Sequence, residues 1–164
     1  MSGHDHDHDH DRDHDDVDLL RWPDALGPEW TCEAAAAAPG HESTLIIRRA
    51  GSQVATVDVM RIVDSEFAAT YPSGLRDRLL LPDAGAPAEA IQLASEFVMD
   101  AEPACRRLVM ACAEDDLESI GIAEAAGYRF VVEVDLHRGS FALLTAEPAW
   151  VLEESRNIDE VPTV

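Results

Sequence analysis

Residues 116–135 read DLESIGIAEAAGYRFVVEVD, and the change of pattern inside that stretch decides the fold class. Asp115-x-x-Glu118 has the shape of a capping box, an acceptor side chain ahead of a helix with a carboxylate three residues on. Leu117 and Ile120 are apolar, and the Ala-rich run stops at Gly127. A glycine just past a helix end enters the left-handed region without steric cost. From Phe130 the pattern becomes FVVEVDLH (Phe130–His137), which reads as a strand. A tight turn around Arg138-Gly139 then leads into SFALLTA (Ser140–Ala146), a closing hairpin.

Upstream, Cys105–Ala113 (CRRLVMACA) reads as a buried strand. Before it, Ala90, Ile91, Ala94, Phe97, Val98 and Ala101 form an apolar stripe at helical spacing, with Glu89, Gln92, Glu96 and Asp100 on the other side. Pro87 sits near the first helical position, where its missing N–H does no harm, and Pro103 ends the helix. The stretch LRDRLLLPDAGAPAEA before it is expected to be a loop. Earlier still, Thr44–Ala50 and Val54–Val63 flank Gly51-Ser52-Gln53 and predict two antiparallel strands. Glu66–Tyr71 is expected as a third strand, stopped by Pro72-Ser73-Gly74. Trp30–Ala38 is compatible with a short strand or with one helix. The predicted order is β-β-β-α-β-α-β-β, an α/β (α+β) fold. The helix between the third and fourth strands makes that pair parallel in a mostly antiparallel sheet.

The 164 residues fit one domain with tails. Thirty-three acidic residues oppose twelve basic ones, all Arg, for a net charge of −21. That balance argues against nucleic acid, whose binding depends on cationic side chains displacing counterions, and against an anionic membrane. Cationic amines suit it better. Residues 1–18 are a His/Asp arm carrying −7, too charged and too poor in apolar groups to order itself. Residues 153–164 read as an acidic C-terminal tail, leaving 19–152 as the folded unit. Three Cys in no framework spacing (Cys32, Cys105, Cys112) predict reduced, buried thiols. With no apolar leader run, the expected location is the cytoplasm. His41 and His137 are isolated and read as surface residues.

The order of elements over about 44–146, and the block Asp116–Asp135, resemble the GNAT (N-acetyltransferase) superfamily. Its last block reads roughly N-x-x-A-I-x-L-Y-E-K-x-G-F, and Ile120, Glu124 and Gly127-Tyr128 fall at its Ile, Glu and Gly-Phe. The resemblance implies a GNAT-like mixed sheet, acetyl-CoA or another acyl-CoA as cofactor, and a small-molecule or protein amine as acceptor. The family's pyrophosphate loop, Q/R-x-x-G-x-G/A, corresponds to Pro82–Ala88, where only Gly85 matches and Asp83 adds a negative charge. Backbone contacts to the cofactor are therefore implied for Gly85, Ala86 and Ala88. Arg76 and Arg78 read either as compensating phosphate clamps or as solvated arginines. The family's Tyr acid corresponds to Ala123, and Tyr128 reads as a packing residue. The third strand, by this resemblance, lies along the pantetheine, and Glu66 is the nearest carboxylate to accept the amine proton. Only about 25 residues precede the second family strand, so the two helices that help bind the acceptor are curtailed.

Two functions follow. One is an acyl-CoA-dependent N-acetyltransferase. The other is a catalytically inactive GNAT-fold protein serving in binding or assembly, homodimer included. They differ at the parallel strand pair: strands splayed open at Gly85 leave room for the cofactor, whereas fully paired strands do not. Separately, His4, His6, His8, His10 and His14 alternate with Asp, a composition suited to Zn²⁺ or Ni²⁺ whether natively or adventitiously. Deleting residues 2–16 should leave the melting temperature of the metal-free protein nearly unchanged while metal retention on a chelate column falls sharply. A large drop in melting temperature would show instead that the arm docks on the domain.

Overall fold

The computed structural model describes residues 23–70, 74 and 76–147. The expected arm, the acidic tail and the stop signal at Pro72-Ser73 lie outside the described residues. Seven strands form one sheet: β1 (Trp30–Ala35), β2 (Ser43–Arg49), β3 (Ser52–Arg61), β4 (Arg78–Pro82), β5 (Leu108–Ala113), β6 (Arg129–Leu136) and β7 (Gly139–Ala146). Two helices, α1 (Ala88–Ala101) and α2 (Leu117–Ala125), complete the fold. The strand order is β1-β2-β3-β4-β5-β7-β6, antiparallel throughout except for β4 beside β5. The mixed α/β architecture, mostly antiparallel with one parallel pair joined through a helix, is as the sequence predicts, but one member of that pair is a different segment.

Three elements differ. Of the expected strand Glu66–Tyr71, the described part Glu66–Thr70 is not a strand: a 3₁₀ turn at Ile62–Asp64 runs into successive turns as far as Thr70. Ser65 explains the break, because its Oγ donates to the Ile62 carbonyl and accepts from the Phe67 N–H, replacing ladder bonds with local ones. The strand paired with β5 is instead RLLLP (Arg78–Pro82), inside the expected loop. Its unbroken apolar run is what a strand buried on both faces requires. Trp30–Ala35 is a strand, and β1 passes to β2 through residues 36–42 without a helix.

Local signals hold with small shifts. The first hairpin turns at Ala50-Gly51, both at positive φ (51° and 84°), one position ahead of the expected Gly51 start. That is the backbone of a two-residue hairpin turn. The cap of α2 is Asp116 rather than Asp115; its carboxylate accepts from the Ser119 N–H at 3.1 Å. Gly127, at φ 108°, closes α2 as expected, with the Tyr128 N–H reaching the Ala123 carbonyl and the Gly127 N–H the Glu124 carbonyl.

Both crossovers run the same way across the sheet, so α1 and α2 share one face. There Leu45 and Val59 meet Val98 of α1, and Tyr128, fully buried, shares a 2.7 Å hydrogen bond with Ser95 of α1. The opposite face carries Leu79, Val109, Val134, Phe141 and Leu143, covered by the 62–70 segment through Ile62 and Phe67. The Phe67 ring stands edge-on to Phe141, with centroids 5.7 Å apart. All three cysteines are free; Cys105 and Cys112 are buried and Cys32 half-buried. No helix among the described residues is long and apolar enough to cross a membrane.

Asp77 holds the junction of the two half-sheets. Its buried carboxylate accepts from the N–H groups of Gly74 (2.7 Å), Arg106 (3.3 Å) and Arg107 (3.2 Å), and the Arg78 N–H donates to the Arg107 carbonyl. Asp77→Ala should therefore cost about 2 kcal/mol in denaturant unfolding, because it removes a buried carboxylate that accepts three backbone N–H bonds at once. A loss below about 0.5 kcal/mol, the scale of a surface substitution, would refute this role.

Candidate functional site

Parallel pairing between β4 and β5 consists of two residue pairs, Arg78 with Leu108 and Leu79 with Val109. Beyond them the strands part. β4 stays with β3 as far as Pro82, and the attachment continues past its end: the Asp83 N–H donates to the Thr56 carbonyl at 2.9 Å, and the Asp83 carboxylate accepts from the Thr56 N–H at 3.2 Å. β5 stays with β7 over its whole length, Leu108 to Ala113. The facing edges of Leu80–Pro82 and Met110–Ala113 thus keep backbone groups that no ladder satisfies, a strong call on a ligand or water.

A cavity of about 410 Å³ fills this opening. One wall is Leu80–Ala86 with Ile91 of α1; the other is Met110–Ala113 with Asp116, Ser119 and Ile122 from the α2 side. Ala84, Gly85, Ala86, Ala111 and Ala113 keep the walls low. At the mouth, Asp83–Ala86 forms a turn closed by the Ala86 N–H on the Asp83 carbonyl, and Gly85 takes φ 83°. Ala90 and Ile91 spend their N–H groups on the Pro87 carbonyl. Ala88 and Glu89, in the first turn of α1, have no intrahelical acceptor for theirs, so two N–H groups and the positive end of the helix dipole stand at this end. Asp83 and Asp116 are the charged residues in the wall, and no arginine contributes to it.

Of the residues expected here, Gly85 and Ala86 line the cavity, and Ala88 opens α1 beside them. Arg76 and Arg78 stand elsewhere, at the start of β4, about 13 Å along the strand from Pro82 by strand rise. Arg78 is buried; its Nε donates to Glu42 at 2.7 Å, its Nη2 to Glu102 at 3.5 Å, and its Nη1 to the Arg76 carbonyl. Arg76 is exposed and pairs with Glu102. Glu66 is not on the cleft strand: its carboxylate is gripped by Arg138, Nε reaching both oxygens at 3.0 and 3.2 Å, while that guanidinium stacks on Phe141. Arg138 holds the Glu66 carboxyl below the usual range, which suits a fixed ion and not a base. His41, expected at the surface, is half-buried against Asp58. Among the described residues no group of His, Cys, Asp and Glu is arranged to hold a metal, and His4–His14 lie outside them.

Cys112, Asp116 and Ser119 are wall residues for which the sequence predicts no site role. Asp116 is held below the usual carboxylate range by the Ser119 hydroxyl and N–H, and Cys112 is pushed up to about 11 by burial and by Asp116. No pattern marks them, because cap and wall duties meet only where α2 folds back over β5. Since only the thiolate alkylates, iodoacetamide modification of Cys112, read by peptide mass, should rise about tenfold per pH unit from pH 8 towards 11. A plateau below pH 9 would contradict the burial.

Neither a protein-family model nor a curated protein matches the chain. Solved structures do. An uncharacterized protein from Bacillus halodurans superposes with a TM-score of 0.58 at 17% identity, over 70% of this chain and 62% of that one. The aminoglycoside acetyltransferase AAC(6')-Ib, solved with coenzyme A and kanamycin, gives 0.58 at 13% identity over 70% of each chain. The same acetyltransferase with acetyl-CoA gives 0.58 at 13% identity, over 70% of this chain and 68% of that one. At these identities the likeness is one of fold alone, and the mixed α/β sheet shared with these structures is the fold that the resemblance of residues 116–135 implies.

Proposed function

We propose that the chain is an acyl-CoA-dependent N-acyltransferase that moves an acetyl group to an amine of a small molecule or a protein. The observation that carries this reading is the splay of β4 from β5 after two pairs, which leaves a cavity ending at a helix N-terminus. When bound, acyl-CoA supplies a thioester, an acyl group already activated towards amines. The protein's part is to hold and desolvate it. The first-turn N–H groups of Ala88 and Glu89, with the Gly85 corner, offer donors to the pyrophosphate. The unpaired β4 edge offers backbone partners to the pantetheine amides. Ile91, Met110 and Ile122 give that chain an apolar lining. An amine acceptor, cationic in water, is drawn by the net charge of −21. Free thiols suit a reducing, cytoplasmic setting.

The catalytically inactive alternative keeps one specific support. Ala123, at the position of the family's Tyr acid, is fully buried and has no group to donate. The loss is tolerable for an enzyme, since acid–base assistance is worth about 10²–10⁴-fold and a thiolate leaves readily.

Calorimetry with acetyl-CoA tests the cofactor reading: a saturable heat is expected, and none at millimolar ligand refutes it. Asp83 stands at the mouth as an exposed carboxylate where phosphate oxygens would gather. Asp83→Asn should tighten binding about threefold at low salt, and the gain should shrink as salt screens it. An unchanged or weaker affinity would place the phosphates elsewhere.

A further inference from the structure

A second cavity lies at the other end of α1 from the cleft and shares no wall residue with it. Its volume is about 310 Å³, at the small end of the range for ligand sites (about 300–1,000 Å³), which is room for a single-ring molecule. Leu45 and Val59 of the sheet form its floor, and Phe97, Val98 and Ala101 in the last turns of α1 close it from above. Ala101 and, on β1, Ala34 are short and keep it open.

The polar part of the wall is Arg78 with Glu42 and Glu102. Only 7% of the Arg78 side chain is exposed, and a guanidinium cannot shed its charge on burial. Its Nε donates to Glu42 at 2.7 Å and its Nη1 to the Arg76 carbonyl, while Nη2 reaches Glu102 only at 3.5 Å, the limit of a hydrogen bond. Three of its five N–H groups are spent in this way, and the other two have no acceptor among the described residues. Because both carboxylates that grip it belong to the same wall, the guanidinium sits between them at the cavity. Buried donors without acceptors are costly, and an oxygen atom in the cavity would satisfy them.

Charge decides what can carry that oxygen. Arg76 pairs with Glu102, and Arg78 with both Glu42 and Glu102, so these four charges balance. A carboxylate or phosphate would come up against Glu42 and Glu102 in a protein already at −21. An ammonium would come up against a buried guanidinium. Either would give up water without gaining a counter-ion, a cost that a neutral oxygen avoids. We propose that this cavity is a second ligand site, for a small neutral molecule with an apolar body and one carbonyl or hydroxyl oxygen that accepts from Arg78.

The test uses the full chain and four single-ring probes: acetophenone, toluene, benzoate and benzylammonium. In nuclear magnetic resonance titrations the Arg78 guanidinium and the methyl groups of Leu45, Val59 and Val98 should shift saturably with acetophenone, and those of Ile122 in the cleft should not. Toluene, the ring without the oxygen, should bind about fivefold more weakly. Benzoate and benzylammonium should each bind about tenfold more weakly, since each brings an unmatched charge. Ala101→Leu, which fills the cavity from the end of α1 and leaves Arg78 in place, should weaken acetophenone about tenfold. Excess acetyl-CoA should not displace acetophenone. No saturable shift at millimolar acetophenone, shifts at Ile122 instead, equal affinity for toluene, a preference for either charged probe, parent-like affinity in Ala101→Leu, or displacement by acetyl-CoA would each overturn the inference.

Discussion

Two residue pairs, Arg78 with Leu108 and Leu79 with Val109, join the halves of this sheet, and the rest of the molecule depends on their being so few. Each half is held internally by longer ladders: β4 with β3 over five pairs and β5 with β7 over six. A twisted sheet can then open where the weaker seam ends, since each half follows its own right-handed twist. Asp77 pins the closed end with hydrogen bonds to three backbone N–H groups, and Asp83 pins the far end of β4 to Thr56 on β3. The opening is therefore built, with buried polar groups at one end and backbone pairing at the other.

The charge balance shapes what that opening can use. Arginines are outnumbered, and most of those described are engaged by carboxylates: Arg48 with Glu33, Arg61 with Asp64, Arg78 with Glu42 and Glu102, Arg107 and Arg129 with Glu147, Arg138 with Glu66. Exposed pairs of this kind add little stability, but they do commit the cations. Anion recognition at the cleft is left to backbone N–H groups and the dipole of α1, which a negative net charge does not remove. Under the proposed acyltransferase reading, the same acidity favours a cationic acceptor, so cofactor and acceptor make opposite electrostatic demands.

The open face of β1–β3 follows from the direct passage of β1 into β2. With no helix between them, Thr44, Thr56 and Asp58 stay half-buried on that side while their alternates Leu45, Val57 and Val59 are fully buried under α1. A polar residue in a strand otherwise built for burial is costly unless its partners come with it. Asp58 has the Thr44 hydroxyl, which in turn accepts from the Ala38 N–H and so ties the link 36–42 to this face.

The sequence by itself determined the elements whose signals are local: the amphipathic stripe of α1, the Gly127 stop of α2 and both hairpins. Each depends on spacing within a dozen residues, where backbone geometry and side-chain period act directly. Tertiary structure decided the rest. Glu66–Thr70 has strand-like residues but turns, because Ser65 and the packing of Phe67 on Phe141 outweigh propensity. RLLLP is a strand because it is buried on both faces, and its period is then invisible in the sequence. Gly85 and Ala86 were legible as cleft residues from their place ahead of a helix. Cys112, Asp116 and Ser119 were not, since they meet the Leu80–Ala86 wall only across the gap between β4 and β5, and only the pairing of the strands decides which side chains share it.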